Sequence, residues 1–140
     1  MSETPLPSVT AHHHQRVRRQ HQRELTQDYV EAIFSLAAQQ EIVRVVDLQG
    51  VFGVSHVTVI RSLGRLEEQG LVRRPQRGQV ELTQDGRALA EASYARHQLV
   101  TRFLRRLGVT ESAAAADAEG IEHHLGKETL EAMRRFLEED

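Results

Sequence analysis

The sequence predicts a mainly α-helical protein: a three-helix unit closed by a two-stranded hairpin, then a helical domain. Three observations carry that expectation. Apolar residues recur at helical spacing through most of the 140 residues. Glycines and hydroxyl caps break that pattern where helices should end and begin. Alternation of apolar and polar residues appears only at 71–74 and 79–82, on either side of "PQRG".

The N-terminus holds two of the three prolines ahead of "HHHQRVRRQHQR". Disorder is expected over 1–15, and the three adjacent histidines read as a solvated tail rather than a metal site. In "RELTQDYVEAIFSLAAQQ" the stripe Leu25, Tyr29, Ile33, Leu36 and Ala37, widened by Val30 and Phe34, gives the first helix. A short helix fits 45–52. Gly53 breaks it, Ser55 caps the next, and that helix runs from His56 to about Gln69 with Gly70 at its C′ position. Val59, Ile60, Leu63 and Leu66 form its buried face. Gly64 lies inside it at a cost of about 1 kcal/mol relative to alanine, a cost that close packing against a neighbouring helix would explain. After the hairpin, Thr83 caps a long helix through Leu89, Tyr94, Leu99, Phe103 and Leu107, ended by Gly108. Thr110 caps a helix expected to continue through "AEGIEHHLG", and Gly126 precedes a last helix striped by Leu130, Met133, Phe136 and Leu137. No internal repeat is present.

Composition narrows the function classes. With 39% hydrophobic and 27% charged residues, the chain is of ordinary globular type. It shows no apolar run long enough for a membrane span and no secretion-signal pattern, so a cytoplasmic location without a membrane partner is the expectation. The absence of cysteine removes disulfides, thiolate zinc sites and cysteine nucleophiles. A net charge of −2 conceals an uneven distribution. Arg61, Arg65, Arg73, Arg74 and Arg77 form a basic stretch, whereas the residues after Gly108 are rich in Glu and Asp. Such asymmetry implies two tasks in one chain.

Short helix, glycine turn, capped helix and hairpin is the order of a winged helix-turn-helix, here spanning 16–83. Its second helix must be held rigid while its outer face stays polar enough to enter the major groove of double-stranded DNA. Ser55, His56 and Thr58, near the start of that helix, are candidates for base-edge contact. Ser62, Arg61 and Arg65 continue the face, and Arg77 at the hairpin tip is placed for phosphate or minor-groove contact. An arginine-rich solvated surface on a helical pair is the blander alternative.

The second task centres on "EGIEHH". On a helix, positions i, i+3 and i+4 share a face, so Glu119, Glu122 and His123 converge. Asp28 and Glu31 form an i, i+3 pair on the first helix, and His97 lies on the helix after the hairpin. Taken alone, "EGIEHH" is equally an ordinary polar helix surface. Brought together, four carboxylates and two imidazoles require a cation, because uncompensated charge is costly to bury. Oxygen-rich sites with some nitrogen suit hard or borderline ions such as Mn²⁺ or Fe²⁺.

The segments "DYVEAI", "ARHQLVTRFLRRLGV" and "DAEGIEHHLGKETLEAM" resemble the iron- and manganese-dependent repressor family related to the diphtheria toxin repressor, its manganese branch most of all. The resemblance covers about residues 22–140. It implies an N-terminal winged helix-turn-helix, a C-terminal helical dimerisation domain over 84–140, and a metal site between them. Matched by motif, that site takes Asp28 and Glu31 from the first helix, His97 from the linking helix, and Glu119, Glu122 and His123 from the fifth. Iron-responsive relatives tend to carry Met and Cys where Asp28 and Glu119 stand, which moves the expected metal from Fe(II) towards Mn(II). The expected protein is therefore a homodimeric, manganese-responsive transcriptional regulator that binds operator DNA and represses manganese uptake genes, with as many as two Mn(II) ions per subunit. No counterpart of the family's C-terminal SH3-like domain is expected, as in the manganese branch. The histidine-rich N-terminus departs from the family pattern, as do His56 and Val57 in the recognition helix.

Three rivals stand beside it: an iron(II)-dependent repressor, a metal-independent winged-helix regulator, and a dinuclear carboxylate enzyme. Enzyme bundles supply two Glu-x-x-His motifs, whereas Glu119 and His123 are four apart and Asp28–Glu31 contains no histidine. No enzymatic activity and no small organic substrate are expected.

Overall fold

A computed structural model describes residues 11–139. Helix α1 spans Ala11–Gln39, followed by β1 (Val43–Arg44), α2 (Val45–Phe52), α3 (His56–Glu68), β2 (Val72–Arg73), β3 (Gln79–Leu82), α4 (Gln84–Arg106), α5 (Glu111–Ile121), a 3₁₀ turn (Glu122–His124) and α6 (Lys127–Glu138). Tyr29, Val30 and Ile33 of α1, Leu48 of α2 and Val59, Leu63 and Leu66 of α3 share one core with Val43, Val72 and Val80 of the sheet. Tyr29 stacks on Phe52 with ring centroids 4.3 Å apart, which fixes α1 on α2.

Local chemistry sets the boundaries. Ser55 Oγ accepts from the Thr58 N–H at 3.2 Å and Thr83 Oγ1 from the Gly86 N–H at 3.1 Å, each satisfying a donor that the first helical turn leaves open. Gly53 ends α2 in the left-handed region at φ 63°, and its N–H returns to the Gln49 carbonyl at 2.8 Å. Asp47 Oδ2 accepts from the Arg44 N–H at 2.8 Å and holds the start of α2.

Four features differ from the sequence expectation. The part of the N-terminal segment within the described residues, 11–15, is helical and continuous with α1; the remainder of the expected disorder lies outside them. The wing has a third strand, in the order β1-β3-β2, with Val43 opposite Val80 and Val72 opposite Leu82. Two residues of β1 are too few to show a period of two. The helix through "AEGIEHHLG" ends at Ile121 and tightens into the 3₁₀ turn. Gly64 has open space where a Cβ would point, so close packing does not account for it.

Gly86 is the tight position. A Cβ there would lie 2.0 Å from the Leu71 carbonyl oxygen, so the start of α4 packs directly on backbone beside the wing. Gly86→Ala should destabilise the chain by about 2 kcal/mol or more through overpacking, whereas Gly64→Ala should stabilise it by up to about 1 kcal/mol through helix propensity. Chemical denaturation of the two variants checks both signs.

Candidate metal centre and nucleic-acid interface

Three elements bring acids and imidazoles together. α1 presents Asp28 and Glu31 beside the residues it buries in the winged core; α4 presents His97; α5 and the 3₁₀ turn present Glu119, Glu122 and His123. α4 packs against both α1 and α5, so it sets the separation of the other two. Glu122 is only 3% exposed. Its Oε2 and Glu31 Oε1 are buried without a hydrogen-bond partner. His97 Nδ1 lies 3.6 Å from Glu122 Oε2, and His123 Nε2 lies 3.5 Å from Asp28 Oδ1 and 3.7 Å from Glu122 Oε1. These separations exceed hydrogen-bond length, so the groups face one another without bonding. Glu119 is exposed on the rim of the same cleft, a volume of about 740 Å³ lined also by Glu24, Asp28, Glu31, His123 and His124. Among the described residues, no three His, Asp or Glu side chains stand close enough to hold an ion as they are placed.

The electrostatics match this crowding. Burial, reinforced by the charge of Glu31, pushes the Glu122 carboxyl up to about 7, with Arg96 pulling the other way. Burial also raises Asp28, opposed by His123 and assisted by Glu119 and Glu24. Glu31 is raised by burial first and then by Asp28, with His123 and the Ser93 hydroxyl acting against the shift.

Several contributors were not picked out from the sequence. His123 Nδ1 lies 2.6 Å from Gln27 Oε1. A carbonyl oxygen only accepts, so Nδ1 carries a proton, and Nε2 is the ring nitrogen that faces Asp28 and Glu122. Arg96, which donates to Ser93 Oγ at 3.2 Å, is the nearby fixed cation. His124 lines the outer part of the same cleft, where it contacts Glu24 Oε1 at 3.1 Å and the Gln20 amide. Gln27 stands four residues before Glu31 and so on its face, but only knowledge that α1 meets the 3₁₀ turn gives that spacing meaning.

On α3, Ser55, His56, Thr58, Arg61 and Arg65 are exposed, as is Arg77 beyond β2. Ser62 is not on that face. It is 8% exposed and lines a cavity of about 40 Å³ with Gln22 and Tyr29 of α1. The reason is helical phase: Ser62 lies three residues after Val59 and four before Leu66, both buried. Val57, by contrast, is an apolar side chain left 63% exposed on the first turn of α3.

A three-stranded wing, an arginine-bearing second helix and an acid–imidazole cluster next to the helical unit define a winged-helix DNA-binding protein with an attached ligand-sensing domain. Residues 23–79 match the model of the iron dependent repressor N-terminal DNA binding domain, and residues 83–139 match that of the iron dependent repressor metal binding and dimerisation domain. The chain belongs to the iron dependent repressor family. It is 47% identical over 123 residues to the transcriptional regulator MntR of Escherichia coli O6:H1, covering 87% of this chain and 79% of that one. It is 45% identical over 124 residues to MntR of Salmonella typhimurium, covering 88% and 78%. A solved structure described as a manganese-dependent transcriptional repressor in complex with manganese superposes with a TM-score of 0.69 at 34% identity, over 80% of this chain and 52% of that one. The manganese regulator SloR superposes with a TM-score of 0.69 at 26% identity, over 82% and 54%. The chain therefore spans about half the length of these two structures.

The three raised carboxyls bind protons more tightly in the folded chain than in the unfolded one. Folding thus takes up protons, and the metal-free chain should gain stability as pH falls from above about 7 towards the usual carboxylate range, losing it again as pH rises through about 7. Glu122→Gln should raise the melting temperature of the metal-free chain at pH 8 and leave it nearly unchanged at pH 5. An equal shift at both values would contradict the assignment of the strain to Glu122.

Proposed function

We propose that this chain is a manganese-responsive, DNA-binding transcriptional regulator that acts as a homodimer and represses manganese uptake genes when its metal site is filled. The observation that carries this is the pair of buried, unpartnered carboxylate oxygens of Glu31 and Glu122 in the space facing His97 and His123. A donor set of carboxylates and imidazoles without thiolate fits a hard or borderline divalent ion. Asp28, Glu31, His97, Glu119, Glu122 and His123 would hold it, with Gln27 fixing the tautomer of His123. The names of the relatives, which refer to manganese, support Mn(II) over Fe(II). One or two ions per subunit fit the six donors.

A bound divalent ion supplies the positive charge that four carboxylates lack. The remaining steps belong to the chain. One face of α1 bears Asp28 and Glu31; Tyr29, Val30 and Ile33 anchor the same helix in the winged core. The position of α1 against α4 and the 3₁₀ turn therefore sets the position of α3. Uncompensated, Asp28, Glu31, Glu119 and Glu122 repel one another and loosen that relation. Compensated, the winged unit is held at a set place on the helical unit, and in a dimer two copies of α3 meet successive half-sites. Arg61, Arg65 and Arg77 are placed for phosphate or guanine contact, and Val57 is an apolar group of the kind that meets a thymine methyl. Gly64, between Arg61 and Arg65, leaves the outer side of α3 open to close approach. Leu107, Ile121 and Phe136 remain exposed on the helical unit, where a second copy would cover apolar surface.

A gel-shift titration on the chain's own upstream DNA, with Mn²⁺, anaerobic Fe²⁺ and chelator in parallel, tests this. Binding should be strongest with Mn²⁺; equal binding in chelator would support a metal-independent regulator, and a preference for Fe²⁺ an iron repressor. Glu122→Ala and His123→Ala should abolish the Mn²⁺ response. Gln27→Ala should weaken Mn²⁺ affinity by about 10–100-fold, while Gln27→Glu, which keeps the acceptor, should not. Wild-type titrations from all of these variants would remove the site.

A further inference from the structure

The match to the family's DNA-binding domain begins at residue 23, but α1 begins at Ala11. About three helical turns thus precede the shared fold. From Ala11 to Arg23 they carry Arg16, Arg18, Arg19 and Arg23 and no acidic residue, in a chain whose net charge is −2. All four arginines are exposed, and among the described residues none forms an ion pair.

The helix sorts its charges by face. Gln20, Glu24, Gln27, Asp28 and Glu31 turn towards the 3₁₀ turn. On the other side, Gln22, Leu25, Thr26 and Tyr29 meet Ser62, Arg65, Leu66 and Gln69 of α3 and the residue after it. At about 100° per residue, Arg18 and Arg19 sit one turn before Gln22 on that second stripe. Arg16 and Arg23 lie about 100–120° round the helix from Gln22, between this stripe and the face of Gln20 and Gln27. With a rise of about 1.5 Å per residue, all four lie within about 10 Å along the axis from Gln22, which itself borders Arg65. Arg65 belongs both to this junction and to the exposed face of α3. Arg18 and Arg19 therefore extend the recognition surface along its edge, with Arg16 and Arg23 beside them on the border of the cleft face.

We propose that the N-terminal extension of α1 is a phosphate-binding arm, its arginines contacting the DNA backbone beside the groove that α3 occupies. This rests on the regulator reading above. Arginine is suited to the role, because its planar fork pairs with phosphate oxygens. Contacts of this kind position a protein without reading sequence, so they add affinity to specific and non-specific duplex alike.

The test uses the full chain, saturated with Mn²⁺, on its upstream DNA and on an unrelated duplex across a range of salt. Two triple variants are compared with wild type: Arg16→Gln/Arg18→Gln/Arg19→Gln and the charge-keeping Arg16→Lys/Arg18→Lys/Arg19→Lys. Each lost phosphate contact lowers the slope of log affinity against log salt by about 0.9, so the Gln variant, which removes three arginines from each of two subunits, should be shallower by up to about 5 on both duplexes, with Mn²⁺ affinity measured without DNA unchanged. The Lys variant should keep most of the slope. An unaltered slope in the Gln variant would overturn the arm. So would equal loss in the Gln and Lys variants, which would indicate helix disruption. Retained DNA slope with lost binding to phosphatidylglycerol vesicles would assign the stripe to a membrane surface instead. A wild type that binds neither duplex, with or without Mn²⁺, overturns the regulator reading itself; a Gln variant of wild-type slope overturns only the arm.

Discussion

Two carboxylate oxygens, Glu31 Oε1 and Glu122 Oε2, are withdrawn from solvent where α1, α4 and the 3₁₀ turn meet, and neither has a hydrogen-bond partner. An unsatisfied buried carboxylate is among the most costly arrangements a protein can hold. The neighbouring groups relieve it only in part. His97 stands 3.6 Å from Glu122 Oε2 and His123 3.7 Å from the other Glu122 oxygen, both too far to bond, and Arg96 acts through its charge. The high proton affinity of Glu122 expresses the same constraint: the folded chain gains by neutralising that group. A proton can do so near neutral pH, and a divalent cation can do so more completely.

The constraint reaches the DNA-binding unit because α1 serves both halves. Asp28 and Glu31 alternate along it with Tyr29, Val30 and Ile33, which are buried against α2, α3 and the sheet. Any change in how tightly α1 sits on α4 is thus felt by the residues that seat α3. If cation binding favours the arrangement that fits DNA, then DNA must favour cation binding by the same free energy. Gln27 extends the same economy of placement. One residue from Asp28, it orients His123 from the opposite segment, so a single turn of α1 supplies both a candidate ligand and the support for another.

The winged half was legible in the sequence because its signals are local. Ser55, Gly53 and Thr83 act within a few residues of themselves, and hairpin alternation needs only neighbours. The differences there lie in phase and length. Ser62 turns inward because it shares the side that Val59, Leu63 and Leu66 bury, and β1 is too short to announce itself. Gly64 has open surroundings, so no close packing accounts for it. The candidate centre was legible only as a list of residues able to bind metal. Glu119, Glu122 and His123 were expected on one regular helix, yet the turn at Glu122 tightens to 3₁₀ and rotates Glu122 inward while Glu119 stays at the rim. Gln27, Arg96 and Ser93 could not be found from spacing, because their roles depend on which helices touch.

The central claim is that Asp28 and Glu31 of α1, His97 of α4, and Glu119, Glu122 and His123 of α5 and the 3₁₀ turn together enclose a divalent cation. Anomalous diffraction from crystals grown with Mn²⁺, recorded on both sides of the manganese absorption edge, tests it most directly. The account predicts a manganese peak bounded by Asp28, His97, Glu122 and His123, with Gln27 still holding Nδ1 of His123. A cleft without a peak, or manganese bound only at the N-terminal histidines, would contradict it.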